Sequence, residues 1–258
     1  MPEGDTIHRA ANRIRAVLQG RVPKEILTPH PRHQADRWPQ RLDGRSVRSV
    51  DAYGKHLFLR FEGDLTLHSH LRMTGLWSVH RQGVRWRRAP QRAWLVLRSE
   101  HWEVVQFDGP LLKLMSDART RSDPRLLALG QDVLGENFDI HRFLLRLRSD
   151  DPDRPIGDAL LNQNTVAGIG NLWKSELCFA TKIDPWRRLA AISDEDAVSL
   201  VDTARELMGR SVKEGFSARP RAVYKHAGLP CPRCGTIVRL RGQGENNRST
   251  FWCPGCQI

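Results

Sequence analysis

The chain opens Met1-Pro2-Glu3-Gly4, and its second and third residues form a pair with chemical potential. Removal of Met1 leaves Pro2 as a free secondary amine. An α-amino group titrates near about 8, so an appreciable fraction is neutral at neutral pH. A neutral amine attacks an electrophilic sugar or carbonyl carbon to give an iminium, as lysine does in Schiff-base enzymes. Glu3 beside it can deliver and remove protons. Four cysteines make a second constellation, Cys231-x2-Cys234 and Cys253-x2-Cys256, with 18 residues between the pairs. Two such pairs on tight turns can place four thiolates around a tetrahedral Zn²⁺, and Pro230, Pro232, Gly235, Pro254 and Gly255 supply the turn chemistry. Two disulfides are the alternative. A start without a basic, apolar leader leads us to expect a reducing compartment, and hence zinc. Four thiolates close the coordination shell, so the ion's role is expected to be structural. Cys178, between Leu177 and Phe179, reads as a buried apolar thiol.

The charge balance names the class of partner. The 258 residues carry 41 Lys and Arg against 29 Asp and Glu, a formal net charge of +12. Such an excess favours a polyanion, nucleic acid above all. Arg81, Arg85, Arg87, Arg88 and Arg92 surround Trp86, a mixture suited to phosphates plus a stacking surface. A merely soluble basic surface is the plain alternative. The 40% hydrophobic content is enough to bury a core and excludes collagen-like and disordered classes. No apolar run approaches the roughly 20 residues that span a bilayer, so a cytoplasmic location without membrane association is expected.

These groups need elements to hold them. Ile7, Ala10, Ala11, Ile14, Val17 and Leu18 form a helical stripe, with Asp5 placed to cap the helix and Gly20 to end it. That helix would tie down a terminus that ordinarily frays. From about 45 to 116 the pattern changes to short alternating runs. Leu57–Phe61 and Leu65–His68 flank Glu62-Gly63-Asp64 as a hairpin, and Trp94–Leu97 pairs with Trp102–Val105 in the same way. His68 and His70 share a strand face that could bind metal, but with no third ligand nearby a half-exposed face is the better reading. After about 130 the strands stop and helices follow. Ile156–Leu161 and Leu172–Ala180 read as two helices joined by a glycine-containing turn, and Ser193 caps a helix with an acidic first turn. Gly168-Ile169-Gly170-Asn171 either lets a phosphate approach a helix N-terminus or is an ordinary turn.

Several motifs now follow one another along the chain. They are Pro2-Glu3-Gly4, Gly54-Lys55-His56-Leu57, His70-Leu71-Arg72-Met73-Thr74-Gly75 and Leu160-Leu161-Asn162-Gln163 through Asn171. Ser175-Glu176-Leu177, Tyr224, Gly228-x-Pro230-Cys231 and Arg248-Ser249-Thr250-Phe251-Trp252-Cys253 complete the series. In this order, over nearly the whole chain, the sequence resembles the formamidopyrimidine-DNA glycosylase/endonuclease VIII family of base-excision repair enzymes.

The resemblance implies an α+β fold: an N-terminal antiparallel β-sandwich with an N-terminal helix over 1–132, a helix-two-turns-helix domain over 133–222, and a zinc-finger hairpin over 223–258. It implies Pro2 as the nucleophile on C1′ of the damaged nucleotide, Glu3 as the proton shuttle, and Lys55 on the phosphate beside the lesion. Asn171 and Arg248 would grip phosphates flanking the flipped nucleotide, and Met73 would fill the void it leaves. One structural Zn²⁺ on Cys231, Cys234, Cys253 and Cys256, damaged DNA as partner, a monomer, and a bacterial cytoplasmic location on the nucleoid are further implications. Pro2-Glu3-Gly4-Asp5 is similar to the endonuclease VIII branch, whereas the other branch reads Pro-Glu-Leu-Pro-Glu. Phe107-Asp108-Gly109-Pro110-Leu111-Leu112 has no arginine where that other branch has Asp-Pro-Arg-Arg-Phe. The expectation is a bifunctional DNA glycosylase/abasic-site lyase acting on oxidised pyrimidines through a proline Schiff base and β,δ-elimination. The alternative is a non-enzymatic, zinc-dependent damaged-DNA-binding protein on the same scaffold, from which only Pro2, Glu3 and Lys55 distinguish it.

Overall fold

In the computed structural model the described residues are 2–258; Met1, whose removal would expose the Pro2 amine, lies outside them. Contacts gather the chain into two units, one of Pro2 and residues 6–127, the other of residues 3–5 and 128–258.

The first unit takes its order from alternation. After α1 (Gly4–Leu18) come β1 (Glu25–Leu27), α2 (Trp38–Leu42), β2 (Val47–Tyr53), β3 (His56–Phe61), β4 (Leu65–His70) and β5 (Leu76–Arg81). Then follow β6 (Ala93–Arg98), β7 (Trp102–Phe107), β8 (Leu111–Ser116), α3 (Asp117–Arg121) and α4 (Pro124–Leu127). The strands form two four-stranded antiparallel sheets, ordered β1-β6-β7-β5 and β2-β3-β4-β8. Period-2 alternation sends Val50, Leu57, Leu59 and Leu67 of one sheet toward Trp77, Leu95, Leu97 and Val104 of the other. Ile7, Ile14 and Leu18 of α1 join that core, each at 1% exposure or less. Both expected hairpins are present. Phe61 pairs with Leu65 around Gly63 and Asp64, whose positive φ values of 75° and 57° make the tight reversal.

The second unit is mainly helical. It contains β9 (Gln131–Asp132), α5 (Ile140–Arg148), α6 (Ile156–Ala159), β10 (Val166–Ala167), α7 (Asn171–Ala180), α8 (Asp194–Glu214), β11 (Arg239–Gln243) and β12 (Arg248–Trp252). Trp173 and Leu177 of α7 pack with Leu200, Val201, Ala204 and Met208 of α8. The Ser193 hydroxyl accepts the Asp196 N–H at 3.1 Å, and Asp194, Glu195 and Asp196 complement the positive end of α8. Three sequence expectations need correction. Strands do not stop at 130, because β9 and β10 pair in parallel. The helix read over 156–161 is regular only to Ala159, since the chain turns where the Thr165 N–H donates to Asn162 O. Asp5 lies within the first turn of α1 rather than ahead of it, and its carboxylate goes to tertiary partners described below.

Candidate functional site

In the second unit residues 3–5 are bedded in a slot lined by backbone. Glu3 is 1% exposed, and its carboxylate accepts the N–H groups of Leu172 at 2.9 Å and Trp173 at 3.3 Å. Both amides belong to the first turn of α7, where the helix dipole favours negative charge. The group on the amides of this glycine-marked N-terminus is thus the chain's own Glu3 carboxylate. Gly170 is required by space: a Cβ there would lie 2.3 Å from Glu3 Cδ. The Gly4 N–H donates to Gly168 O at 2.9 Å, and Gly168 has a φ of 110° that side-chain-bearing residues rarely adopt.

The zinc-finger hairpin leans on the same helix. Asn171 Nδ2 donates to Ser249 O at 2.7 Å, and Lys174 Nζ donates to Thr250 Oγ1 at 2.7 Å. Thr250 in turn donates to Gln243 Oε1, whose amide donates to Pro185 O, each at 2.8 Å. Lys174 has no solvent exposure, and burial pushes its amine down to about 8. Sequence reading missed Lys174, because its acceptor lies 76 residues further along the chain. Strands β11 and β12 pair in unbroken register from Arg239↔Trp252 to Gln243↔Arg248, leaving exposed Arg248 at the tip.

Behind the tip, the Sγ atoms of Cys231, Cys234, Cys253 and Cys256 all lie within 4.8 Å of one another. Cys234–Cys253 and Cys231–Cys256 are separated by 3.5 and 3.8 Å. Tetrahedral zinc with about 2.3 Å bonds needs sulfurs about 3.8 Å apart, so the donor set fits one structural Zn²⁺. Cys178 is fully buried and its thiol is pushed up to about 12 by burial, the inert apolar role expected of it.

The first unit carries the other expected residues. Pro2 is half-buried. Lys55 sits on the two-residue β2–β3 turn after Gly54, whose φ is 55°. Met73 is 62% exposed at the tip of a turn closed by Gly75 N–H to Leu71 O at 2.9 Å. The Arg72 N–H donates to His70 Nδ1 at 3.0 Å, and Arg88 donates to Thr74 O at 3.0 Å. Arg88 and Arg92 also hold Asp108, and Trp86 donates to Glu103 at 2.8 Å while packing edge-on against Phe107. Much of the arginine–tryptophan run thus serves the fold, against the expectation of a stacking surface.

The strand face of His68 and His70 is more crowded than its sequence suggests. His56 pairs across the ladder with His70, and its Nδ1 lies 2.8 Å from His68 Nε2. That third imidazole was invisible without the strand register. Burial, then neighbouring charge from His70, His68 and Lys55, pushes His56 down to about 3. Burial likewise pushes His68 and His70 down to about 4. Around them Lys113 adds to the effect on His68 and Asp123 opposes it, while Lys55 and Arg72 add to the effect on His70. All three are neutral when folded, so their stability contribution is complete above about pH 6.5 and is lost as pH falls toward 4. At pH 5.5, keeping buried His68 neutral costs about 1.4 kcal/mol. Thermal unfolding followed from pH 7.5 to 5 should show falling stability, and His68→Phe should flatten that fall. An equally steep fall in the variant would remove His68 as a cause.

Two layers of antiparallel sheet, a helical unit with a glycine-marked turn, and a four-cysteine hairpin against it define a zinc-finger α+β scaffold suited to nucleic acid. Residues 1–122 match the formamidopyrimidine-DNA glycosylase N-terminal domain, 129–220 the H2TH domain of the same enzymes, and 228–258 the zinc finger found in FPG and IleRS. A probable endonuclease 8 of Streptomyces coelicolor is 40% identical, over 100% of this chain and 94% of that protein. A DNA-(apurinic or apyrimidinic site) lyase of Mycolicibacterium smegmatis is 35% identical, over 100% and 99%. The structure of Lactococcus lactis Fpg in complex with abasic-site DNA superposes with a TM-score of 0.82 over 99% of both chains at 23% identity, a likeness of fold. The chain belongs to the formamidopyrimidine-DNA glycosylase/endonuclease VIII family. No helix among the described residues is long and apolar enough to cross a membrane.

Proposed function

We propose that this protein is a bifunctional DNA glycosylase and abasic-site lyase of base-excision repair, acting as a monomer on oxidised pyrimidines and abasic sites. The observation that carries the reading is the Glu3 carboxylate, held against the α7 amides one residue from Pro2. The Pro2 nitrogen forms a bond to C1′ as the bond from C1′ to the base breaks, and the base leaves with a proton. Glu3 protonates the ring oxygen, so that the sugar opens to an iminium. Loss of a proton from C2′ then expels the 3′ phosphate, and a second elimination releases the 5′ phosphate. Lys55 takes the phosphate beside the lesion. Asn171, whose side-chain amide also bonds Ser249 O and the Tyr224 phenol, and exposed Arg248 take the phosphates flanking the flipped nucleotide. Met73, apolar and exposed, fills the space left by the extruded nucleotide.

Substrate choice rests on the Pro2-Glu3-Gly4-Asp5 start and on the absence of arginine from residues 107–112. A panel of duplexes carrying 5-hydroxyuracil, thymine glycol or 8-oxoguanine opposite cytosine tests it. Faster cleavage of the two pyrimidine lesions is expected. Much faster cleavage of 8-oxoguanine:cytosine would contradict it.

A further inference from the structure

The three residues that follow Pro2 are each anchored within the second unit, and the third is held by an ion pair. Asp5 has no exposed side-chain surface and Arg219 has 11%. The Arg219 guanidinium grips Asp5 with two prongs, Nε to Oδ2 and Nη2 to Oδ1, both 2.7 Å. The Ser211 hydroxyl of α8 adds a third bond to Oδ2 at 2.6 Å, and Arg219 stacks over Phe216 at 4.5 Å. A buried ion pair is a weak source of stability, because desolvation offsets most of its Coulomb attraction. What three short, directional bonds do supply is a unique register. We infer that Asp5, Arg219 and Ser211 are positioning residues for the reaction: they hold the segment carrying Pro2 and Glu3 in place while the charge on Glu3 changes.

The need for such an anchor follows from the proposed function, on which this inference rests. Glu3 both anchors the segment and carries protons. Once protonated it accepts the Leu172 and Trp173 amides less strongly, since a neutral acceptor makes weaker bonds than a charged one. The Gly4 N–H to Gly168 O bond does not change with that charge, but it is a single bond between neutral groups. Asp5 is two residues from Glu3, and neither it nor Arg219 exchanges a proton in the proposed reaction. The pair therefore keeps its grip through the whole cycle.

The test uses full-length, zinc-loaded protein with a processed N-terminus and a duplex holding one abasic site. The rate of borohydride-trappable adduct is measured under single turnover, with affinity for a tetrahydrofuran-site duplex measured beside it. Asp5→Asn and Arg219→Gln should slow trapping on the order of 10- to 100-fold, the cost of a misplacement near 1 Å, with affinity unchanged. Ser211→Ala should slow it less. Since a single change strands a buried charge, the double variant Asp5→Leu/Arg219→Met is the deciding one. Loss of both charges leaves stability near wild type, as for other buried pairs. A stable double variant that traps slowly supports the inference. One that traps at the wild-type rate overturns it, as does a stable double variant whose affinity falls in parallel with trapping. Failure of the wild-type protein itself to trap would instead refute the proposed function.

Discussion

Glu3→Gln is expected to lower base release and strand scission by a factor on the order of 10² to 10⁴, the range for loss of a positioned general acid–base. The substitution preserves shape and removes the titrating proton. It also places an amide N–H₂ against a slot that presents N–H groups from Leu172 and Trp173, so one donor must face another. Affinity for a tetrahydrofuran-site duplex should change little, because Glu3 is buried and its known partners are within the protein. Single-turnover cleavage of an abasic-site and a lesion duplex, with binding measured in parallel, separates the two effects. Undiminished cleavage would take Glu3 out of the chemistry.

The second large effect concerns zinc. Chelation should unfold the finger, because metal binding supplies much of the folding free energy of a domain with so small an apolar cluster. Two consequences follow from the contacts on α7. Lys174 and Asn171 lose their Thr250 and Ser249 acceptors and α7 loses the hairpin packed against it, so thermal stability should fall along with DNA binding. Arg248 loses its place at the hairpin tip. Arg248→Ala isolates that part: zinc content should stay at one per chain while the slope of log affinity against log salt decreases by about 0.9, one phosphate contact. Added Mg²⁺ should not restore cleavage to the chelated protein. Restoration by Mg²⁺ would mean that a metal-bound water does the work assigned to Pro2.

Local patterns gave away most of the scaffold. The stripe from Ile7 to Leu18 is a helix, Glu62-Gly63-Asp64 is a hairpin turn, and Ser193 is a cap, because each is settled within a few residues. The four cysteines converge because two tight turns leave few other arrangements. What could not be read was whatever depends on long-range placement. Asp5 has the residue type and position of a helix cap, yet its partners are Ser211 and Arg219, more than 200 residues away. The same holds for Glu3 on α7 and for His56 beside His68, which meet only once strand register is fixed. Trp86 looked like a stacking platform because its neighbours are arginines, but the sheet places Glu103 and Phe107 against it.

The Pro2 amine is expected to form the covalent link to DNA. Borohydride reduction during turnover of an abasic-site oligonucleotide, followed by peptide mass mapping of the adduct, tests it most directly. The expected result is one adduct, on the N-terminal peptide at Pro2, and none in a Pro2→Gly variant that still binds the DNA. An adduct on an internal lysine such as Lys55 or Lys174, or no adduct from processed, zinc-loaded protein that binds the same duplex, would contradict it.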